Sequence, residues 1–278
     1  MPPSTTTSDT VPPTSSTTST TTSTTTSTTP PPTSTTTAST STTTTPPDNI
    51  DPEIRVPDGD GFFPAVVLVH GGGWIAGDPS IMRDLAVFLT DEGYLTVNTD
   101  YTLSDSQPGF PAAIDDVACA VRLAQSHPRS DGSVALLGHS AGAHLSAVVA
   151  LTGDQYGLSC PHEGSGVPDK LVGLAGPYDV DRLGILMLPF FGGGPQAEPD
   201  AWFAGNPHNL VDRNTDITSL LMHGDQDGFV AINFTFNFGA ALTDAGSGVL
   251  VEVVEGANHN QLRDSDIVGD LIATWLLR

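Results

Sequence analysis

Short, almost unbroken apolar runs recur through most of this chain, and no other feature limits its fold so tightly. Pro64-Ala-Val-Val-Leu-Val-His70 is one such run. Tyr94–Asp100 and 133–138 repeat the pattern, and further runs occupy 170–175, 217–223 and 249–254. A strand with one face in water alternates apolar and polar residues, whereas a continuous run belongs to a strand covered on both faces. Between the runs lie stretches with helical spacing, at 80–91, 111–126, 141–151, 231–245 and 263–277. Doubly covered strands, each followed by a helix, predict an α/β fold with a mostly parallel central sheet and helices on both faces. Before residue 64 only a short, weakly specified edge element is expected. Residues 181–214, rich in Gly and Pro with scattered aromatics, read as an insertion on the sheet rather than a layer of it.

The pattern starts late because residues 1–47 contain 34 Ser or Thr and nine Pro, with almost nothing apolar to bury. Such a tract cannot offset the entropy of ordering its backbone. We therefore expect a disordered linker or stalk over 1–50, open to O-glycosylation, and one catalytic-sized domain over 51–278. The linker fits attachment to a cell surface or an upstream module, and so an extracellular or cell-surface setting. The N-terminus has neither a basic region nor an apolar one, so no signal peptide is expected within this chain. No apolar stretch is long enough for a membrane span. The formal charge of −23 includes a single lysine, Lys170, which excludes the basic footprint a nucleic-acid partner requires.

The two cysteines carry a second clue to the setting. Cys119 lies in the helical stretch 111–126, whose apolar stripe is Ile114, Val117, Ala118 and Val121. At roughly 100° per residue it falls about 160° from the centre of that stripe, so it is poorly explained as core filler. Cys160 lies in the loop-like segment 157–168. A loop folded over the outer helix face would bring the two together as a disulfide, which suits an oxidising compartment. Two unrelated thiols are the alternative.

The chemistry concentrates at Gly138-His139-Ser140-Ala141-Gly142, where an apolar strand runs directly into an alanine-rich helix. Glycines at both ends permit a tight strand-to-helix turn that lifts the Ser140 hydroxyl above the sheet, with a helix N-terminus beneath it. His70-Gly71-Gly72-Gly73-Trp74 follows another strand. Its glycines let backbone N–H groups of Gly72 and Gly73, with that of Ala141, approach a tetrahedral oxyanion. Trp74 would wall the pocket. A serine nucleophile needs a base and an acid to orient it. His259 follows the last strand, and Asp227 follows the strand 217–223 within His223-Gly-Asp-Gln-Asp227. Asp225 is the competing acid, while His70 and His139 are competing bases tied by position to the two glycine loops. His144 is expected to pack beneath the serine. No close-spaced ligand pair such as His-x-x-x-His is present, so neither a metal nor a cofactor is called for.

The order Ser140, Asp227, His259 is that of the α/β-hydrolase fold. Further strings add to it: Asp100-Tyr-Thr-Leu103, Phe110-Pro-Ala-Ala-Ile-Asp-Asp-Val117 and Gly176-Pro-Tyr-Asp179. Over 62–278 the chain resembles the α/β-hydrolase superfamily, specifically its hormone-sensitive-lipase-like and feruloyl-esterase-like carboxylesterases. The resemblance implies hydrolysis of carboxylic esters, with Ser140 as nucleophile, Asp227 as acid, His259 as base and Gly72, Gly73 and Ala141 as oxyanion donors. Family members commonly carry Arg where this chain has Thr102, so local repacking is expected there. The large N-terminal cap of hormone-sensitive-lipase-like enzymes has no counterpart here, since only about 15 residues separate the tail from the first strand. A serine carboxylesterase for short-chain esters, working through an acyl-enzyme, is the expected function. An acetyl or feruloyl esterase acting on plant polysaccharide is the alternative, with a lipase or an amidase behind it. Trp202 and Phe203, with Leu186–Phe191, are the expected apolar rim of the substrate pocket, against ordinary packing of an insertion.

Overall fold

The computed structural model describes residues 52–278; the tract expected to form a linker lies outside the described residues. Seven strands form one sheet: β1 (Glu53–Arg55), β2 (Phe63–Val69), β3 (Leu95–Thr99), β4 (Ser130–His139), β5 (Lys170–Leu174), β6 (Thr218–Gly224) and β7 (Gly248–Val254). Their order is β1-β3-β2-β4-β5-β6-β7, parallel throughout except for β1, which pairs antiparallel with β3. The weakly specified edge element is thus a three-residue strand capping the sheet.

Both faces are covered, as the continuous runs require. Along β2, Val67 and Val69 join one core with α2 (Ala112–Ser126), α3 (Ala141–Thr152) and α6 (Asn233–Ala245). Val66 and Leu68 join the other, against α1 (Arg83–Asp91) and α7 (Ser265–Leu276). Every residue of α3 is buried, which explains why its sequence lacks a polar face. The insertion contains the short helices α4 (Leu188–Phe191) and α5 (Pro199–Ala204) between 3-10 turns.

Cys119 and Cys160 form a disulfide, with Cα atoms 5.5 Å apart. Its surroundings show why Cys119 sits off the core stripe of α2. The segment after α3 folds over that helix, held by the Gly157 N–H on Asp115 Oδ1 (2.6 Å) and the Ser165 N–H on Gln125 Oε1 (2.8 Å). Beneath it the buried Arg122 donates to the Tyr156 carbonyl at 2.9 Å. Thr102 stands where the resemblance leads one to expect Arg. Its N–H and hydroxyl both donate to Asp116 Oδ2, at 2.7 Å each, and so tie the loop after β3 to α2.

Candidate active site

Loops at the carboxyl ends of β2, β4, β6 and β7 converge on one end of the sheet, where parallel α/β sheets bind ligands. The turn from β4 into α3 places Ser140 at φ 55° and ψ −120°, a conformation an L-residue adopts only under constraint. The constraint comes from both sides. A side chain at Gly138 would strike the Gly142 carbonyl, and one at Gly142 would strike the carbonyls of Val69 and His70. Only glycine lets the helix start this close to β2. The Ser140 carbonyl accepts from the N–H groups of Ala143 (3.0 Å) and His144 (3.1 Å). The Ala141 N–H donates to no protein acceptor among the described residues, as expected at a helix start.

Gly71–Trp74 wraps over this turn. A Cβ on Gly71 would lie 3.0 Å from the Ser140 Cβ. Gly72, Gly73 and Trp74 all take positive φ (139°, 61° and 64°), turning the chain back so that the Gly72 carbonyl accepts from Ile75 and Ala76. The loop is anchored at both ends. His70, fully buried and stacked on Tyr101, has Nδ1 2.7 Å from the Gly71 carbonyl and Nε2 2.9 Å from Asp100 Oδ1. Trp74 donates its indole N–H to His144 Nδ1 at 3.1 Å, and His144 passes Nε2–H to the Gly205 carbonyl at 2.7 Å. That chain fixes the neutral tautomer of His144, whose burial pushes it down to about 4.

The other side of the site is a web of side-chain hydrogen bonds. Asp227, nearly inaccessible, accepts Nδ1–H of His259 on Oδ2 at 2.7 Å. Its Oδ1 accepts the N–H groups of Phe229 (2.8 Å) and Val230 (2.9 Å). Burial alone would raise this carboxyl, but the Val230, His259 and Phe229 donors outweigh it and hold it below the usual range. His223, at the end of β6, places Nε2 2.9 Å from the Val230 carbonyl and 3.2 Å from Asp227 Oδ2, while its Nδ1 faces the Thr235 hydroxyl at 2.7 Å. His139 donates Nε2–H to the His259 carbonyl at 2.9 Å, its ring 4.8 Å from that of His259. Burial pushes His139 down to about 3, which keeps it neutral. Ser140 Oγ itself makes no hydrogen bond among the described residues; serine–imidazole contacts commonly tighten only with substrate in place.

The structure therefore brings Asp227 and His259 together beside the Ser140 turn, with Gly72, Gly73 and Ala141 around it. The competing acid Asp225 instead accepts from the Gly256 N–H at 2.7 Å, across the turn between β7 and the His259 loop. The pocket expectation for Trp202 does not fit. It is 3% exposed, packed on Phe191 at 4.8 Å, with its indole N–H given to the Gly193 carbonyl. It joins the core that covers the α2–α3 face of the sheet, as ordinary packing would have it. Trp74 is buried too and meets Phe190 at 5.9 Å, so it backs the Gly71–Gly73 loop rather than lining an open wall. The exposed apolar side chains of the insertion are Ile185, Leu186, Leu188 and Phe203. Sequence reasoning missed His223 as a second imidazole on the Asp227 carboxylate; its position four residues before Asp227, at a strand end, was the available signal. It also missed Phe229. Among the described residues no group of three or more His, Cys, Asp or Glu is arranged to hold a metal ion, and no helix is long and apolar enough to cross a membrane.

Comparison with known proteins agrees with this architecture. The model of the BD-FAE family matches residues 53–242. Esterase LipC of Mycobacterium tuberculosis is 32% identical over 195 residues, covering 63% of this chain and 47% of that protein. Esterase LipQ of the same organism is 26% identical over 228 residues, covering 76% of this chain and 51% of that protein. The chain thus spans about half the length of these relatives. Among solved structures, a truncated carbohydrate esterase from gut microbiota superposes with a TM-score of 0.68 at 22% identity, covering 81% of this chain and 88% of that one. An acetyl ester-xyloside bifunctional hydrolase from Caldicellulosiruptor lactoaceticus gives 0.69 at 20% identity, with 81% and 87% covered. At such identities the likeness is one of fold.

Proposed function

The chain belongs to the BD-FAE family, and on that premise we propose that it is a serine carboxylesterase working through an acyl-enzyme. Ser140 attacks the ester carbonyl while His259 Nε2 takes its proton. Asp227 holds the imidazole by Nδ1 and stabilises its charged form. The N–H groups of Gly72, Gly73 and Ala141 receive the oxyanion. His259 then protonates the departing alcohol, and a water activated by the same imidazole releases the acid. The observation that carries this reading is the 2.7 Å bond from His259 to Asp227 beside a serine held at φ 55°.

For the substrate, we propose acetyl or feruloyl groups on plant polysaccharide. Family membership and the names of the two structurally similar carbohydrate-active hydrolases support this. The Ser/Thr/Pro tract would serve as a spacer holding the domain near such a polymer outside the cell. Behind the oxyanion loop, Trp74, His144 and Phe190 pack against one another, which suits a small acyl group more than a long one. A second reading, hydrolysis of free short-chain esters, is favoured by the similarity to esterase LipC. The test is kcat/KM over p-nitrophenyl esters from acetyl to dodecanoyl, with Ser140→Ala in parallel. A maximum between acetyl and hexanoyl, abolished in the variant, is expected. A maximum at longer chains would move the reading to a lipase, and turnover by pure Ser140→Ala would overturn the assignment.

A further inference from the structure

Phe229 is 82% exposed, more than any other aromatic side chain among the described residues. Its backbone N–H binds Asp227 Oδ1, a task that any non-proline residue could perform. The benzyl group itself packs into neither core. It lies instead against the His259 ring, with centroids 5.5 Å apart and planes inclined by 43°. Because His259 is pinned by Asp227 through its ring and by His139 through its carbonyl, the Phe229 ring lies beside an imidazole of fixed position.

That position has a chemical meaning, which rests on the esterase reading above. The leaving alcohol takes its proton from His259 Nε2, so whatever is attached to its oxygen must emerge beside the imidazole. Phe229 therefore borders the alcohol side of the ester. The shelf is open and has a polar margin, since Asp225, Gln226, Asn258 and Asn260 are all exposed on the two loops that meet there. A wholly apolar alcohol would call for an enclosed pocket. A pyranose offers one face of C–H groups to an aromatic ring, whose π-face is negative, and keeps its hydroxyls in water. The net charge of −23 disfavours an anionic sugar.

We propose that Phe229 is the stacking platform for the neutral pyranose ring that carries the ester, and that this contact sets a preference for sugar esters over esters of simple alcohols. The experiment compares kcat/KM for acetylated xylo-oligosaccharide and for ethyl acetate in the wild type, Phe229→Ala and Phe229→Trp. The ratio of sugar ester to ethyl acetate is expected to fall roughly tenfold in Phe229→Ala, mainly through KM, and to be restored in Phe229→Trp. An unchanged ratio overturns the proposal. So does an equal loss on both esters with a shifted pH profile, which would mean that Phe229 acts only by bracing His259. If the wild type hydrolyses both esters and the ratio does not move, the esterase reading stands and the platform alone falls. If the wild type hydrolyses neither these esters nor any p-nitrophenyl ester, the esterase reading fails and takes the platform with it; turnover of p-nitrophenyl esters with neither of the two esters cleaved overturns the platform alone.

Discussion

Around Ser140 the chain reaches its position through side chains it lacks, whereas around His259 it is held by side chains it carries. Gly138 and Gly142 let α3 begin against β2, and Gly71 lets its glycine loop lie on the Ser140 turn. Across the site, one buried carboxylate gathers two backbone N–H groups and two imidazoles, and a third imidazole holds the His259 carbonyl. At Gly138 and Gly142 the first arrangement tolerates no added atom, because the nearest atoms are backbone. The second tolerates no lost hydrogen bond, because the carboxylate is out of water. Damage to the two halves should therefore differ in kind: loss of fold on one side, loss of turnover on the other.

Asp227→Asn gives the largest expected effect. With the amide oxygen held by the Phe229 and Val230 N–H groups, the NH2 faces His259 Nδ1 and can only donate to it, so the imidazole loses the tautomer that leaves Nε2 free. A fall in kcat of about 10⁴-fold is expected with the fold retained, read by steady-state kinetics beside circular dichroism. Gly142→Ala should do the reverse. Its methyl group meets the carbonyls of Val69 and His70, and denaturant unfolding should show a loss of about 4 kcal/mol. Gly73→Ala sharpens the point, because nothing lies within 4 Å of a Cβ there and only its positive φ opposes the change, at about 1 kcal/mol. If both glycine variants lose the same stability, close backbone approach is not what shapes the elbow.

A control lies outside both halves. Removing the disulfide with Cys119→Ser and Cys160→Ser frees a 41-residue separation and should cost about 3 kcal/mol, with kcat/KM unchanged within about twofold. A large kinetic defect would show that the stapled loop supports the site. A further effect concerns pH. His139 and His144 are held neutral by burial, down to about 3 and about 4, while the unfolded chain protonates each near 6.5. The unfolded state then binds more protons below about 6.5, so stability falls as pH drops from there toward the folded values. Asp227 adds loss in the same direction at lower pH, and Asp116, raised by burial, works in the opposite sense. A decrease of about 1.5 kcal/mol between pH 7.5 and pH 6 is expected from the two histidines together. An unfolding free energy flat across that interval would contradict their neutral burial.

The glycine half was the more legible in sequence. Gly138, Gly142 and the run Gly71–Gly73 announce backbone geometry locally, and the apolar runs place the strands within one to three residues, as at Phe63–Val69 against 64–70 and Ser130–His139 against 133–138. The half built from side chains was read only in its principal members. Asp227 and His259 follow strands in the expected order. That His139 clamps the His259 carbonyl depends on a contact between residues 120 apart, which local spacing does not encode. Trp202 misled for a related reason. An aromatic residue in a Gly- and Pro-rich insertion looks the same whether it rims a pocket or, as here, packs on Phe191. The pairing of the cysteines was legible because Cys119 violated the helical stripe of its own helix.

The central claim is that Ser140 is the nucleophile of this site. It is tested most directly by treating the protein with diethyl p-nitrophenyl phosphate and measuring its intact mass and peptide map. One phosphoryl adduct, confined to the peptide containing Ser140, formed in step with loss of esterase activity and missing from Ser140→Ala, is the predicted result. Full esterase activity in protein fully modified at Ser140, or an inactivating adduct on another residue, would contradict it.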